Sequence, residues 1–190
     1  IAEITESVRC CTVPALGEAL RGTFERYFDS VSVWVVGPGV KTGLAIHTDN
    51  PKEVGTDRIV NALAVKELYG GPAIVVDLSG TATVFDAVDD QDRYLGGAIA
   101  PGVEVSLSAL ASSSAQLRSV ELAVPRNVVG KNTVESIQAG TIFGFAGLID
   151  AIVERMGESL GADLDHLTVV ATGSHAEVVL SECETITTRN

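Results

Sequence analysis

Apolar residues recur at helical spacing between Pro14 and Phe28, at Leu16, Ala19, Leu20, Phe24 and Phe28. That spacing predicts a helix with Pro14 in its first turn. Val31 to Val36 is β-branched and aromatic, which predicts a strand ended by Gly37-Pro38-Gly39. Thr42 to Asp49 is expected to be extended or looped, and Pro51 biases Asn50 away from helix. A second helix is predicted from Gly55-Thr56, carrying Ile59, Val60, Leu63, Val65 and Leu68 and stopping at Gly70-Gly71-Pro72. Ala73 to Val76 is an unbroken apolar run ending on Asp77, which predicts a strand covered on both faces. Thr81 to Val88 and Tyr94 to Ile99 predict a hairpin about the turn Asp89-Asp90-Gln91-Asp92. Val105 to Leu117 predicts a helix, and Val120-Glu121-Leu122 a short strand. The longest helical pattern runs from Asn132 to Met156, with Asn132 as N-cap and Glu135 as the capping-box acid. A strand at Leu167 to Ala171, the turn Thr172-Gly173-Ser174 and a short helix to Leu180 complete the prediction.

Strands alternate with helices and a hairpin intervenes, so the expected class is α/β with mixed sheets covered by helices. Gly70-Gly71-Pro72 is the best candidate boundary between two lobes, one over 1–70 and one over 71–190. Gly140, Gly144 and Gly147 share one face of the longest helix. Each interior glycine costs about 1 kcal/mol relative to Ala, so close packing in the core or at a subunit interface is expected to compensate.

Composition narrows the functions. The 190 residues carry a net charge of −12, with no dense basic face for nucleic acid or an anionic membrane. Aromatics make up 5%, too few for a platform that stacks single strands. The longest uncharged stretch, Ser136 to Ile149, falls short of the roughly 20 apolar residues that span a bilayer. The opening residues lack the basic-then-apolar order of a secretory leader. Cys10, Cys11 and Cys183 have no metal-ligand spacing and are expected to be buried thiols in a reducing compartment. His47, His166 and His175 show no zinc-site spacing, and no Gly-x-Ser-x-Gly elbow anchors a hydrolase triad.

Four segments could carry chemistry. Asp49 to Arg58 crowds polar residues ahead of a helix, placing Asp57 and Arg58 in its first turn, where a polar or anionic ligand is favoured. Ordinary capping by Thr56, with Asp57 as a first-turn acid, explains the same residues. Asp77-Leu78-Ser79-Gly80-Thr81 ends an apolar strand in an acid and a hydroxyl-rich turn, suited to a phosphate or a cation or to a structural hairpin. It is neither a Walker A loop nor a dinucleotide fingerprint. Gly130-Lys131-Asn132-Thr133 opens the long helix, as an anion site or a plain cap. Ala171 to His175 leads from a strand into a small turn that could touch a nucleotide or simply connect.

Five stretches in register resemble the bacterial type III pantothenate kinases. They are Gly37 to Gly43, Asp49 to Asn61 (DNPKEVGTDRIVN), Val75 to Thr83, Leu95 to Gly102, and Gly130 to Glu135 with Gln138-Ala139-Gly140. The resemblance implies the two-lobed actin/Hsp70/sugar-kinase (ASKHA) fold, with the first lobe incomplete. It implies ATP-dependent phosphorylation of pantothenate to 4'-phosphopantothenate, the first step of coenzyme A synthesis, in the cytoplasm. Asp57 matches the family's proton acceptor, Gly55, Thr56, Asp57 and Arg58 its substrate-binding run, and Thr133 a later substrate contact. Asp77 matches the ligand of an activating K+ or NH4+, Thr81 a nucleotide contact, and Mg2+ would accompany ATP. The family's enzymes are homodimers with substrate pockets at the subunit interface.

Measured against that family, the chain is expected to lack the N-terminal Asp-x-Gly-Asn-Thr phosphate loop and the C-terminal Asp-Pro and Leu-Thr-Leu-x-Gly-Leu region. The Asp77 loop carries one extra residue at Leu78-Ser79, Thr48 stands where a Tyr is common, and Thr56 where Ala is usual. A non-catalytic, ligand-binding relative of the same fold is the competing expectation.

Overall fold

The computed structural model describes residues 4–28, 30–37, 40–113, 120–173 and 176–189. The chain runs β1 (Glu6–Cys10), α1 (Pro14–Tyr27), β2 (Ser32–Val36), β3 (Ala45–Ile46), a 3-10 turn at Pro51–Glu53 and α2 (Thr56–Tyr69). It continues through β4 (Ala73–Asp77), β5 (Ala82–Val88), β6 (Arg93–Pro101), α3 (Val103–Ser113), α4 (Thr133–Leu160), β7 (Thr168–Thr172), α5 (Ala176–Leu180) and β8 (Thr188–Arg189). β1 and β2 are parallel, joined through α1, and form a sheet of their own. The other six strands lie in the order β3-β6-β5-β4-β7-β8. β5 is antiparallel to β4 and β6, whereas the β4–β7 and β7–β8 pairs are parallel. The class is therefore α/β with a mixed sheet covered by helices, as expected.

Alternation along β4 explains the layering. Ile74 and Val76 join Phe85 of β5 and Ala146, Ile149 and Val153 of α4 in the largest apolar cluster. Val75 points the other way, to Val65 of α2, and Ile59 and Ala62 of α2 pack with Val88 and Tyr94. Thus α2 covers one face and α4 the other, and the β4 run is apolar throughout because both its faces are buried. By length and hydropathy alone the 28-residue α4 could cross a bilayer. Its buried positions, among them Ala139, Ile142, Ala146, Ile149 and Val153, face the sheet as those of a core helix do.

Several expectations need correction. β1 was not anticipated, because Glu6-Ser7-Val8-Arg9-Cys10 has little apolar content, and its extension comes from pairing with β2. No strand forms at 120–122, where the Glu121 carbonyl accepts from the Gln138 side chain (2.9 Å) instead of a neighbouring strand. The helix expected at Val105 starts earlier, at Val103, and residues 114–119 lie outside those described, as do Pro38, Gly39, Ser174 and His175. Gly55, not Thr56, is the N-cap of α2. Gly140, Gly144 and Gly147 are exposed, and a Cβ at any of them would meet nothing within 4 Å, so core packing does not explain them. None of the three cysteines is fully buried, although Cys183 packs against the main cluster, where burial pushes its thiol up to about 12.

Candidate active site

The start of α2 gathers the polar residues that the sequence singled out. Asp57 is exposed in the first turn, where unpaired backbone N–H groups and the helix dipole favour a negative charge. Its carboxylate makes no hydrogen bond or ion pair among the described residues. It lies back over Gly55, where a Cβ would stand 2.4 Å from Asp57 Oδ1. Thr56 is buried, and its hydroxyl accepts a hydrogen bond from the Cys10 thiol (3.1 Å), which ties β1 to this helix start.

Arg58 turns inward. Its Nε (2.8 Å) and Nη2 (2.7 Å) both donate to Oδ1 of Asp86, a fully buried carboxylate in the middle of β5. The Tyr94 hydroxyl from β6 donates to the same oxygen (2.8 Å), and the Arg58 guanidinium lies 5.8 Å from the Tyr94 ring centroid. Burial pushes the Asp86 carboxyl above its ordinary range, against the pull of Arg58 and Tyr94, and the charge of Asp57 adds to the rise. Burial and then the Asp86 charge push the Tyr94 phenol upward as well.

Asp77 ends β4 on the α2 side of the sheet. Its Oδ1 accepts from the Ser79 backbone N–H (2.8 Å) and the Ser79 hydroxyl, and its Oδ2 accepts from Asn61 Nδ2 (2.8 Å). Asn61 follows Asp57 by one helical turn, so Asp57, Asn61 and Asp77 form one contiguous polar line. A carboxylate has about four acceptor positions, of which these bonds use three. The remaining one, on an oxygen-only donor, suits a hard cation. Gly173 (φ 118) allows the loop after Asp77 to pass close by, because a Cβ there would stand 2.6 Å from the Leu78 carbonyl carbon. Among the described residues no three His, Cys, Asp or Glu side chains converge as a metal cluster would require.

The structure brings Gly55, Thr56, Asp57, Arg58 and Asp77 to one side of the sheet. Thr81 is exposed beyond them, at the far end of the Asp77 loop, with its carbonyl bonded to the Gly102 N–H (2.9 Å). Thr133 stands apart. It is the first residue of α4, on the opposite face of the sheet from α2, and lines a groove of about 490 Å³ between α3 and α4. A larger cleft of about 900 Å³ opens between β2, β3 and α2, and Lys41 and Lys52 are its charged lining residues. Sequence reasoning missed Asp86 and Tyr94. The signal available was an acid inside an otherwise apolar strand, Thr-Val-Phe-Asp-Ala-Val, where a charge needs a buried partner.

A family model described as type III pantothenate kinase matches residues 2–155. The type III pantothenate kinase of Thermobifida fusca is 55% identical over 177 residues, covering 93% of this chain and 68% of that protein. That of Streptomyces griseus subsp. griseus is 56% identical over 177 residues, 93% of this chain and 66% of the relative. That of Salinispora arenicola is 53% identical over 185 residues, 97% of this chain and 72% of the relative. The chain thus spans about two thirds of the length of the relatives it matches. A solved activator of 2-hydroxyisocaproyl-CoA dehydratase from Clostridium difficile, with bound ADPNP, aligns over 95% of this chain and 75% of its own. Its TM-score of 0.43 and 16% identity are too low to carry an argument. The matched span contains the whole polar line from Gly55 to Asp77, and the chain belongs to the type III pantothenate kinase family.

Proposed function

We propose that this chain binds pantothenate at the start of α2 and accepts the proton in its ATP-dependent phosphorylation to 4'-phosphopantothenate, the first step of coenzyme A synthesis. The observation that carries this reading is an exposed, unpaired Asp57 carboxylate beside an arginine held in place from below. Asp57 takes the proton of the primary hydroxyl as that oxygen attacks the phosphoryl group. Phosphoryl transfer needs positioning and charge stabilisation more than covalent help from the protein. Gly55 and Thr56 shape the approach to the hydroxyl, and Arg58 holds the negative charge of the substrate. Two of its five N–H donors go to Asp86, which leaves three for an anion. When bound, Mg2+ neutralises the phosphate charge of ATP. Asp77 would hold K+ or NH4+ through its remaining acceptor position, and Thr81 would contact the nucleotide.

Thr133 belongs to this site through a second copy of the chain. Its place on α4, away from Asp57, supports a homodimer in which each pocket draws on both subunits. The exposed glycine face of the same helix, open to a close neighbour, supports it too. The division into lobes at 1–70 and 71–190 is supported by the separate β1–β2 sheet and by five of the six main-sheet strands following Pro72. The biosynthetic role proposed for the chain would put it in the cytoplasm.

The test is pantothenate-dependent ADP release by the full-length gene product with K+ and Mg2+ present. Asp57→Asn should lower turnover by about 10²–10⁴-fold, the usual worth of a general base. Turnover at the unsubstituted rate would remove Asp57 from that role. No turnover by a folded, unsubstituted protein would favour a ligand-binding relative.

A further inference from the structure

Asp86 has no obvious reason to be buried on grounds of stability. It is fully inaccessible, it sits between Phe85 and Ala87 on β5, and its Oδ2 has no hydrogen-bond partner among the described residues. Removing a carboxylate from water is costly, and an ion pair in such a place is often no more stable than apolar side chains of similar volume. What Asp86 does achieve is geometric. Its Oδ1 takes two N–H groups of Arg58 and the Tyr94 hydroxyl together, and the Tyr94 ring lies against the same guanidinium. Arg58 is therefore held along one edge with the Tyr94 ring on one side, and its remaining N–H groups make no hydrogen bond among the described residues. An arginine on an unrestrained side chain would lose rotamer entropy each time it met an anion. One already fixed loses little.

We propose that Asp86, assisted by Tyr94, is a positioning residue that holds the Arg58 guanidinium in the orientation that receives the negative charge of the substrate. The inference rests on the reading of Arg58 as a substrate contact, and the experiment separates the two. KM and kcat for pantothenate are measured at saturating ATP on the full-length gene product. The variants are Arg58→Gln, Asp86→Asn, their combination, and Tyr94→Phe with and without Arg58→Gln. Asp86→Asn should raise KM about tenfold with a much smaller change in kcat, equivalent to loss of one charge-assisted contact. Arg58→Gln should raise KM at least as much, and the double variant should be no worse than Arg58→Gln, because Asp86 acts only through Arg58. Tyr94→Phe should give a smaller KM rise that vanishes in the Arg58→Gln background. It also carries the test should Asp86→Asn fail to fold. An Asp86→Asn protein with lowered melting temperature but unchanged KM would overturn the proposal, as would KM effects that multiply in the double variant. An unchanged KM in Arg58→Gln would overturn the substrate role of Arg58 and the proposal with it.

Discussion

Asp86 and Asp89 stand three positions apart, both are buried, and their titrations run in opposite directions. Burial raises both. At Asp89 it is outweighed by the Arg93 guanidinium (Nε to Oδ2, 2.6 Å) and by the backbone N–H groups of Arg93 (2.8 Å) and Gln91 (3.0 Å), which hold the carboxyl below its ordinary range. A carboxyl lowered by folding stabilises the fold above its unfolded pKa, about 3.9, and loses that contribution as pH falls through the folded value. Melting temperature followed from about pH 6 to about pH 2 should therefore fall more steeply for the unsubstituted protein than for Asp89→Asn. Equal slopes would remove this linkage. Asp86 has the opposite sign, since its raised carboxyl favours the fold at pH below the raised value, so its effect lies above about 3.9 and does not overlap with that of Asp89. At this scale the sequence marks Asp57 and Asp77 because they stand at the ends of elements, where free backbone N–H groups or a turn follow. Asp86 shows in the sequence only as an acid within a largely apolar strand, and what it does there comes from Arg58, 28 positions away.

The long helix shows how far local signals reach. Asn132 caps α4 as its position predicts, accepting from the Glu135 N–H (2.9 Å), but the Glu135 carboxylate returns to the Lys131 N–H (3.1 Å) and Arg126 rather than closing the usual box. Gly161 ends the helix in the left-handed region (φ 64). Asn132→Ala should cost about 1 kcal/mol, seen as a lower denaturation midpoint with an unchanged slope. A shift below a few tenths of that would mean the Glu135 contacts hold the helix start unaided. The longer helices are legible from their apolar spacing and β4 from its unbroken apolar run, signals that each lie within one segment. β1, two-residue β3 and β8, and the false strand at 120–122 are not, because short or weakly apolar segments take their state from the neighbour they meet.

Across the whole molecule, the mixed sheet lies between Asp57, in the first turn of α2, and Thr133, which opens α4, and the proposed homodimer would bring one protomer's Thr133 to its partner's Asp57. Gly144→Leu on the exposed face should leave the folded protomer at least as stable, since Gly is about 1 kcal/mol worse than other helix residues and nothing crowds the site. If the proposed homodimer packs through this face, sedimentation should show it weakened. A dimer of unchanged strength would place the subunit contact elsewhere. The sequence alone carries the class of fold, the bounds of α2, β4 and β5, those of β6 and α4 to within a few residues, the family, and the acids at element ends. Those features rest on spacing and end effects within a few residues of one another. What folding alone supplies is that Asp86 and Tyr94 hold Arg58, that Asn61, one turn after Asp57, binds Asp77, and that the glycine face of α4 points outward. Each of these depends on which strands lie side by side, and that follows from burying both faces of a sheet at once rather than from any local run of residues.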